Sequence, residues 1–244
     1  MNEFINELVN NFRDILGDNL LCVLLLGSVQ KDDTTPFSDI DLVVIIKRFN
    51  LVQIRNVRQL LRQSEKLLDL SFLCWDEIPK NPNYFTMGTH GCYQLGLILN
   101  RAKCLYGRNV LFDLGEPLKE NIRESLLQKI IQYTWWARRM FVESNRDRSL
   151  ESNYQLNSRL IKMIRGALYL SDQLDIHSKA QETMDCFIDK YSEILSEKEK
   201  IILRNIVNQT LISKNSANMS EEYFEIRVSI INKIHQEAIR MFYC

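Results

Sequence analysis

The sequence predicts an α+β protein in which an N-terminal α/β unit precedes a C-terminal helical bundle. Short continuous runs of apolar residues in the first half are typical of strands that are covered on both faces. After residue 120 the chain has no Pro and only one Gly, and its apolar residues recur at helical spacing. The Gly- and Pro-containing stretch 113–120 predicts a boundary between two domains, 1–113 and 119–244.

The first half reads as helix, strand, strand, helix, strand. Helical spacing predicts a helix over residues 2–16, and apolar runs predict strands at 20–26, 40–46 and 67–75. A basic amphipathic helix is predicted between the last two strands, over 50–66. Downstream, the pattern predicts a helix over 84–100 and a short strand or turn at 104–107.

The second half divides into five predicted helices. Serine precedes several of them, and Ser196 is followed by Glu199, the spacing of a capping box. The predicted helices span 119–145, 150–173, 178–195, 197–213 and 220–242.

Charge and composition exclude several classes of function. Lys and Arg number 31 and so do Asp and Glu, so the chain has no net charge that would steer it to nucleic acid. No apolar run is long enough to cross a bilayer, and the N-terminus lacks a signal-peptide pattern. Six scattered cysteines without a C-x-x-C pair are typical of reduced thiols, so a cytoplasmic protein is expected.

The segment that carries chemistry begins where the first strand ends, at Gly27-Ser28. Glycine lets a ligand approach the backbone, and the Ser28 amide at the start of a short helix favours a phosphate. Ten residues later comes Asp39-Ile40-Asp41. The two-residue period of a strand places both carboxylates on one face while Ile40 enters the core.

A third acid, Asp69, interrupts the next apolar strand. A buried Asp costs several kcal/mol unless it is paired or bound to a metal. If its strand lies beside 40–46, Asp69 can join Asp39 and Asp41, and three carboxylates favour a hard cation such as Mg²⁺. These residues therefore predict metal-assisted phosphoryl or nucleotidyl transfer.

This pattern resembles the DNA-polymerase-β-like nucleotidyltransferase superfamily. The resemblance rests on Gly27-Ser28, Asp39-Ile40-Asp41 and the later Asp69, and covers about residues 20–75. The helical second half is similar in layout to small-molecule enzymes such as aminoglycoside and lincosamide adenylyltransferases. The resemblance implies a mixed sheet with flanking helices as the catalytic domain, and a helical domain that contributes to acceptor binding.

The resemblance also implies a role for each site residue. Asp39, Asp41 and Asp69 would bind Mg²⁺ and carry catalysis, and Gly27 and Ser28 would hold the phosphates of ATP or another nucleoside triphosphate. Further nucleotide contacts are expected from the following polar residues: Lys31, Ser38, Arg138 and Arg139, with Lys162 and Arg165 as alternatives. The general base is not assigned, since Gln132 occupies the place where related enzymes often have a carboxylate.

The implied reaction moves AMP from ATP to a hydroxyl of a small-molecule acceptor, for instance an antibiotic, with release of pyrophosphate. One alternative is a toxin-like nucleotidyltransferase that modifies a protein or tRNA, and another is a non-catalytic nucleotide-binding module. Neutral charge disfavours the tRNA substrate. A homodimer is left open.

Overall fold

Strands and helices are interspersed in the N-terminal part of the described chain, and helices make up the C-terminal part. The computed structural model describes residues 2–27, 40–62, 68–87, 91–142, 150–173, 179–212 and 221–243. The chain divides into two compact units, Met1–Ile122 and Arg123–Cys244. The assignment of catalytic and acceptor-binding domains to 1–113 and 119–244 stays a prediction.

The first unit is built around a mixed sheet. Its described strands and longer helices are α1 (Asn2–Leu16), β1 (Leu20–Leu25), β2 (Ile40–Ile46), α2 (Leu51–Arg62), β3 (Leu68–Cys74), α3 (Gly91–Arg101) and β4 (Lys103–Gly107). The strand order is β3-β2-β1-β4. Strand β1 is antiparallel to β2 and β4, whereas β2 is parallel to β3. The parallel pair needs a crossover connection, and α2 lies within it.

Both faces of this sheet are covered, which explains the continuous apolar runs. Val44 and Ile46 of β2 join the core that contains Phe12 of α1 and Val57 of α2. The alternate residues of the same strand join a second core on the opposite face, together with Leu95 of α3. A strand buried on both sides therefore shows no polar alternation.

The predicted helix over 84–100 is wrong at its start. Residues Pro82–Tyr84 form a 3-10 turn in which the Asn81 side chain accepts from the backbone N–H of Asn83. The backbone from Phe85 to Met87 is not helical, and the helix runs over Gly91–Arg101. Proline and an Asn cap thus favour a separate short turn over an extension of the helix.

The second unit is helical in all its longer described elements. They are α4 (Lys119–Val142), which begins in the first unit, α5 (Leu150–Leu170), α6 (Ala180–Lys190), α7 (Glu197–Ile212) and α8 (Glu221–Tyr243). Helix α5 packs on α6 and α8, and α7 packs on the same two helices. The α+β class and the five C-terminal helices are confirmed. Among the described residues, no helix is long and apolar enough to span a membrane.

A buried carboxylate joins two helices of the second unit. Glu199, only 4% exposed, accepts hydrogen bonds from the backbone N–H and hydroxyl of Ser196 at 2.8 and 3.0 Å. It also accepts from the Lys233 ammonium at 2.7 Å and the Ser229 hydroxyl at 3.1 Å. Lys233 and Ser229 both lie on α8, so the predicted capping box at the start of α7 also connects α7 to α8.

Glu199→Gln is expected to lower the free energy of unfolding by about 1–3 kcal/mol at pH 7, because charged hydrogen bonds to a buried group are lost. Burial opposes ionisation of Glu199, but its hydrogen bonds from Lys233 and Ser196 prevail and lower the pKa of the carboxyl. The stabilisation is therefore present above the unfolded-state pKa of about 4.3 and is lost as the pH falls through the lower folded-state value.

Urea unfolding between pH 7 and pH 3 measures this effect. The matched control is Glu197→Gln, which removes an exposed carboxylate bonded to Lys200 on the same helix and should change stability much less, because water screens an exposed ion pair. A deficit of Glu199→Gln that is the same at every pH would contradict the electrostatic explanation.

Candidate active site

The structure describes three of the residues predicted for the site in the first unit. Gly27 follows β1, Asp41 is the second residue of β2 and Asp69 is the second residue of β3. The other predicted residues of this part, Ser28, Lys31, Ser38 and Asp39, lie outside the described residues.

Asp41 and Asp69 are direct partners in the parallel pairing of β2 with β3. Paired residues on neighbouring strands project from the same face of a sheet, so both carboxylates lie on one side. Ile40 and Leu42, which flank Asp41, are buried in the core of the opposite face. The prediction that the strand of Asp69 lies beside 40–46 is confirmed.

The expectation that Asp69 is buried is wrong. Asp69 is exposed, whereas Asp41 is half-buried. The reason is the strand order, because β3 is at the edge of the described sheet and β2 is inside it. Water can therefore solvate the Asp69 carboxylate, and its position next to Asp41 rather than its burial marks it as a site residue.

Gly27 approaches the Asp41 side chain closely. Its φ is +75°, a conformation that L-residues other than glycine rarely adopt. A Cβ at this position would lie 2.8 Å from Cγ of Asp41 and would overlap its Oδ2. The neighbouring backbone is fixed by the N–H of Leu26, which donates to the carbonyl oxygen of Asp41 at 2.9 Å. The turn after β1 and the acid of β2 therefore form one packed unit.

Two adjacent carboxylates are a fitting but incomplete donor set for a hard cation. Within the described ranges, no group of three His, Cys, Asp or Glu residues could hold a metal ion. The third predicted ligand, Asp39, falls in the gap between residues 27 and 40. The three-carboxylate site thus stays a prediction, supported by the placement of Asp41 and Asp69.

Two open grooves of about 490 and 510 Å³ lie at the other end of the sheet. Both are lined by Leu21 near the start of β1 and by Lys47 just after β2. Asp41 is near the opposite end of β2. Neither groove is therefore part of the carboxylate site.

The predicted nucleotide contacts Arg138 and Arg139 lie on α4 in the second unit. The guanidinium of Arg138 donates through Nε and Nη2 to Oδ1 of Asn232, at 2.8 and 2.6 Å. This contact joins α4 to α8. Arg139 is exposed. The assignment of both arginines to the nucleotide stays a prediction.

A basic cluster in the second unit includes a residue that the sequence analysis missed. Lys129 of α4 is 6% exposed, and it interacts electrostatically with Lys162 and Arg165 of α5. Burial, followed by these two positive charges, lowers the pKa of Lys129 to about 7. The available signal is its position among Leu126 and Ile130, inside the apolar stripe of the helix.

An aromatic pair borders this cluster. The Arg159 guanidinium lies 3.4 Å from the ring centroid of Trp136 and 5.6 Å from that of Tyr133. The Lys129 ammonium lies 5.6 Å from the Tyr133 ring. Cation–π contacts of this kind favour positive charge at the interface between α4 and α5. The aromatic residues here thus pack against cations as well as apolar side chains.

Comparisons with known proteins agree with this geometry. Residues 5–99 match the model of the nucleotidyltransferase domain. Comparison with curated protein sequences gives no match. The fold is similar to that of the crystal structure of spectinomycin adenyltransferase AAD(9) from Enterococcus faecialis with ATP and spectinomycin, with a TM-score of 0.72 and 14% sequence identity. That likeness covers 97% of this chain and 99% of the other.

The matched range, residues 5–99, includes the turn at Gly27 and the paired Asp41 and Asp69. The resemblance and the enzyme class predicted from the sequence are confirmed at this level. The similarity along nearly the whole length also confirms the fold class, a mixed sheet with flanking helices followed by helices.

Asp69→Asn is expected to stabilise the metal-free protein by roughly 0.2–1 kcal/mol at pH 7, because it removes a like charge directly beside Asp41. Urea unfolding in EDTA measures this stabilisation, with the exposed Asp76→Asn as control. If Asp69→Asn is less stable than the wild type at pH 7 in EDTA, the two carboxylates do not repel each other.

Lys129→Met is expected to flatten the dependence of stability on pH. The folded-state pKa of about 7 lies below the unfolded-state value of about 10.4, so the unfolded chain binds the extra proton between these values. Stability of the wild type should rise with pH in this window. Chemical unfolding at pH 6.5 and 9.5 compares the two proteins, with the exposed Lys179→Met as control. An unchanged slope in Lys129→Met would show that Lys129 is not the group responsible.

Proposed function

We propose that this protein transfers AMP from ATP to a hydroxyl group of a small-molecule acceptor, and that the reaction depends on Mg²⁺ and releases pyrophosphate. The observation that carries the proposal is the in-register pairing of Asp41 with Asp69, beside Gly27, within a nucleotidyltransferase domain. Adjacent carboxylates on one sheet face are suited to hold a cation against a polyphosphate.

In the proposed reaction the acceptor oxygen attacks the α-phosphorus of ATP. A bond forms between these two atoms, and the bond from the α-phosphorus to the oxygen that bridges to the β-phosphorus breaks. Pyrophosphate leaves with that oxygen and its electron pair. The acceptor proton is lost to a base, a role for which the exposed carboxylate of Asp69 is available.

Asp39, Asp41 and Asp69 are the residues proposed to hold Mg²⁺. Bound there, the ion would supply charge neutralisation for the phosphates and polarise the reacting oxygen. Asp41 is held on two sides, by the backbone bond from Leu26 and by the approach of Gly27. A ligand whose position is fixed before substrate binds needs little reorganisation in the reaction.

The remaining assignments follow the sequence pattern. Gly27 and Ser28 are proposed to hold phosphates at the end of β1, where backbone N–H groups can serve an anion. Lys31, Ser38, Arg138 and Arg139 are proposed to add contacts to the nucleotide. Residues 119–244 are proposed to take part in acceptor binding, and the cytoplasm is the proposed compartment.

The choice of ATP and of a small-molecule acceptor is supported by the similar structure, which contains ATP and spectinomycin. An antibiotic of that kind is the acceptor class we propose to test first. The same likeness in fold extends over both units of this chain. It favours small-molecule adenylylation over the modification of a protein or tRNA.

Asp41→Asn is expected to lower the rate of pyrophosphate release from ATP at least about a hundredfold, because a charged ligand at the reacting phosphates is lost. Release is measured with spectinomycin and a panel of related antibiotics as acceptors. EDTA should abolish release and excess Mg²⁺ should restore it.

Asp76→Asn, an exposed acid after β3, is the control and should retain wild-type turnover. Equal rates for Asp41→Asn and the wild type would refute catalysis at this site. Activity that persists in EDTA would refute the proposed role of the metal.

A further inference from the structure

We infer that Gly27 is a positioning residue for Asp41: the space left by its missing side chain receives the Asp41 carboxylate and fixes the direction in which that carboxylate presents its oxygens. The inference deepens the proposed function and rests on it, because it takes Asp41 to be a metal ligand. It gives Gly27 a role beyond contact with phosphate.

The first step of the argument is steric. The place of a Cβ on Gly27 is occupied by Oδ2 of Asp41, and Cγ and Cβ of Asp41 lie 2.8 and 3.2 Å from it. Real Cβ atoms essentially never come within 3.0 Å of another atom, so the positions of Oδ2 and Cγ are incompatible with a side chain at Gly27. Any residue other than glycine must therefore displace the Asp41 carboxylate or move the backbone.

The second step concerns the backbone, which resists such a movement. The N–H of Leu26, next to Gly27, donates to the carbonyl oxygen of Asp41 at 2.9 Å. Leu25 and Leu42 are paired one step further along the same two strands. Separation of the turn from β2 would break this ladder at its end, so the side chain of Asp41 is the part that must give way.

The third step separates this contact from backbone conformation. Gly115 has the same φ of +75°, but nothing lies within 4 Å of the place of its Cβ. A side chain at Gly115 thus meets backbone strain alone. At Gly27 it meets the strain of a positive φ and, in addition, a carboxylate.

The fourth step concerns the neighbour of Asp41 on the other side. Asp69 is paired with Asp41 across β2 and β3, so a carboxylate forced away from Gly27 has a like charge beside it. Displacement of one oxygen by about 1 Å is enough to weaken a preorganised site. Gly27 therefore sets the geometry with which the two acids can share a cation.

The test is a thermodynamic cycle that does not depend on turnover. Urea unfolding in EDTA compares the wild type, Gly27→Ala, Asp41→Ala and the double variant, with Gly115→Ala as the control for strain at the same φ. Gly27→Ala should lower the urea midpoint. In the Asp41→Ala background the effect of Gly27→Ala on the midpoint should be clearly smaller than in the wild-type background, because only the 3.2 Å approach to Cβ is left.

A second measurement tests positioning rather than packing. The unfolding temperature is followed as Mn²⁺ alone is added to the metal-free proteins. The wild type and Gly115→Ala should respond at the same concentrations, and Asp41→Ala should not respond. Gly27→Ala should need about tenfold more Mn²⁺, the loss typical of a disturbed ligand support.

The outcomes distinguish the positioning role of Gly27 from the proposed metal site on which it rests. The positioning role alone is overturned if Gly27→Ala lowers the urea midpoint equally in the wild-type and Asp41→Ala backgrounds. It is also overturned if Gly27→Ala binds Mn²⁺ as the wild type does. A wild type without any Mn²⁺ response overturns the proposed metal site and the positioning role together. If Gly27→Ala does not fold, recovery of folding in the double variant supports the inference and failure to recover overturns it. Gly27→Asn, which tolerates the positive φ, then provides the variant for the Mn²⁺ titration.

Discussion

Strand β2 is hydrogen-bonded to β1 on one side and to β3 on the other. The candidate site depends on both pairings, because they meet at Asp41. The antiparallel pairing with β1 brings Gly27 against Asp41, and the parallel pairing with β3 brings Asp69 beside it. A shift of either register by one residue would turn the partner side chain to the other face of the sheet. The apolar residues of β2 anchor the strand in the cores on both faces of the sheet. The core of the first unit thus holds β2 in place between its two partner strands.

Much of this arrangement could be predicted from the sequence, because it depends on local patterns. Apolar runs located β1, β2 and β3 to within a residue or two, and the spacing of Gly27, Asp41 and Asp69 identified the class of domain. The order of the strands is a property of the whole sheet and has no local signal. The sequence therefore could not show that β3 is an edge strand, and the expected burial of Asp69 failed for that reason.

Contacts between distant segments account for the other differences. The fit of Asp41 against Gly27 depends on two backbones that meet across the sheet, and glycine alone does not reveal what fills its empty space. Lys129 was overlooked because an isolated lysine in a helix is usually exposed, although its place in the apolar stripe indicated otherwise. The start of α3 was missed because the turn at Pro82 interrupts a pattern that looks helical.

Each unit contains carboxylates in positions that ordinary packing disfavours, but their surroundings differ between the units. In the second unit the buried Glu199 is compensated by four hydrogen bonds from protein groups, so its charge contributes to stability. In the first unit a like-charged pair lies side by side and one of its members is pressed against a glycine with positive φ. Such features lower the stability of a free protein and are concentrated at functional sites, where a ligand offsets them. The adjacent carboxylates of Asp41 and Asp69, beside a glycine with positive φ, are thus a physical reason, independent of sequence similarity, for the proposal that the chemistry lies there.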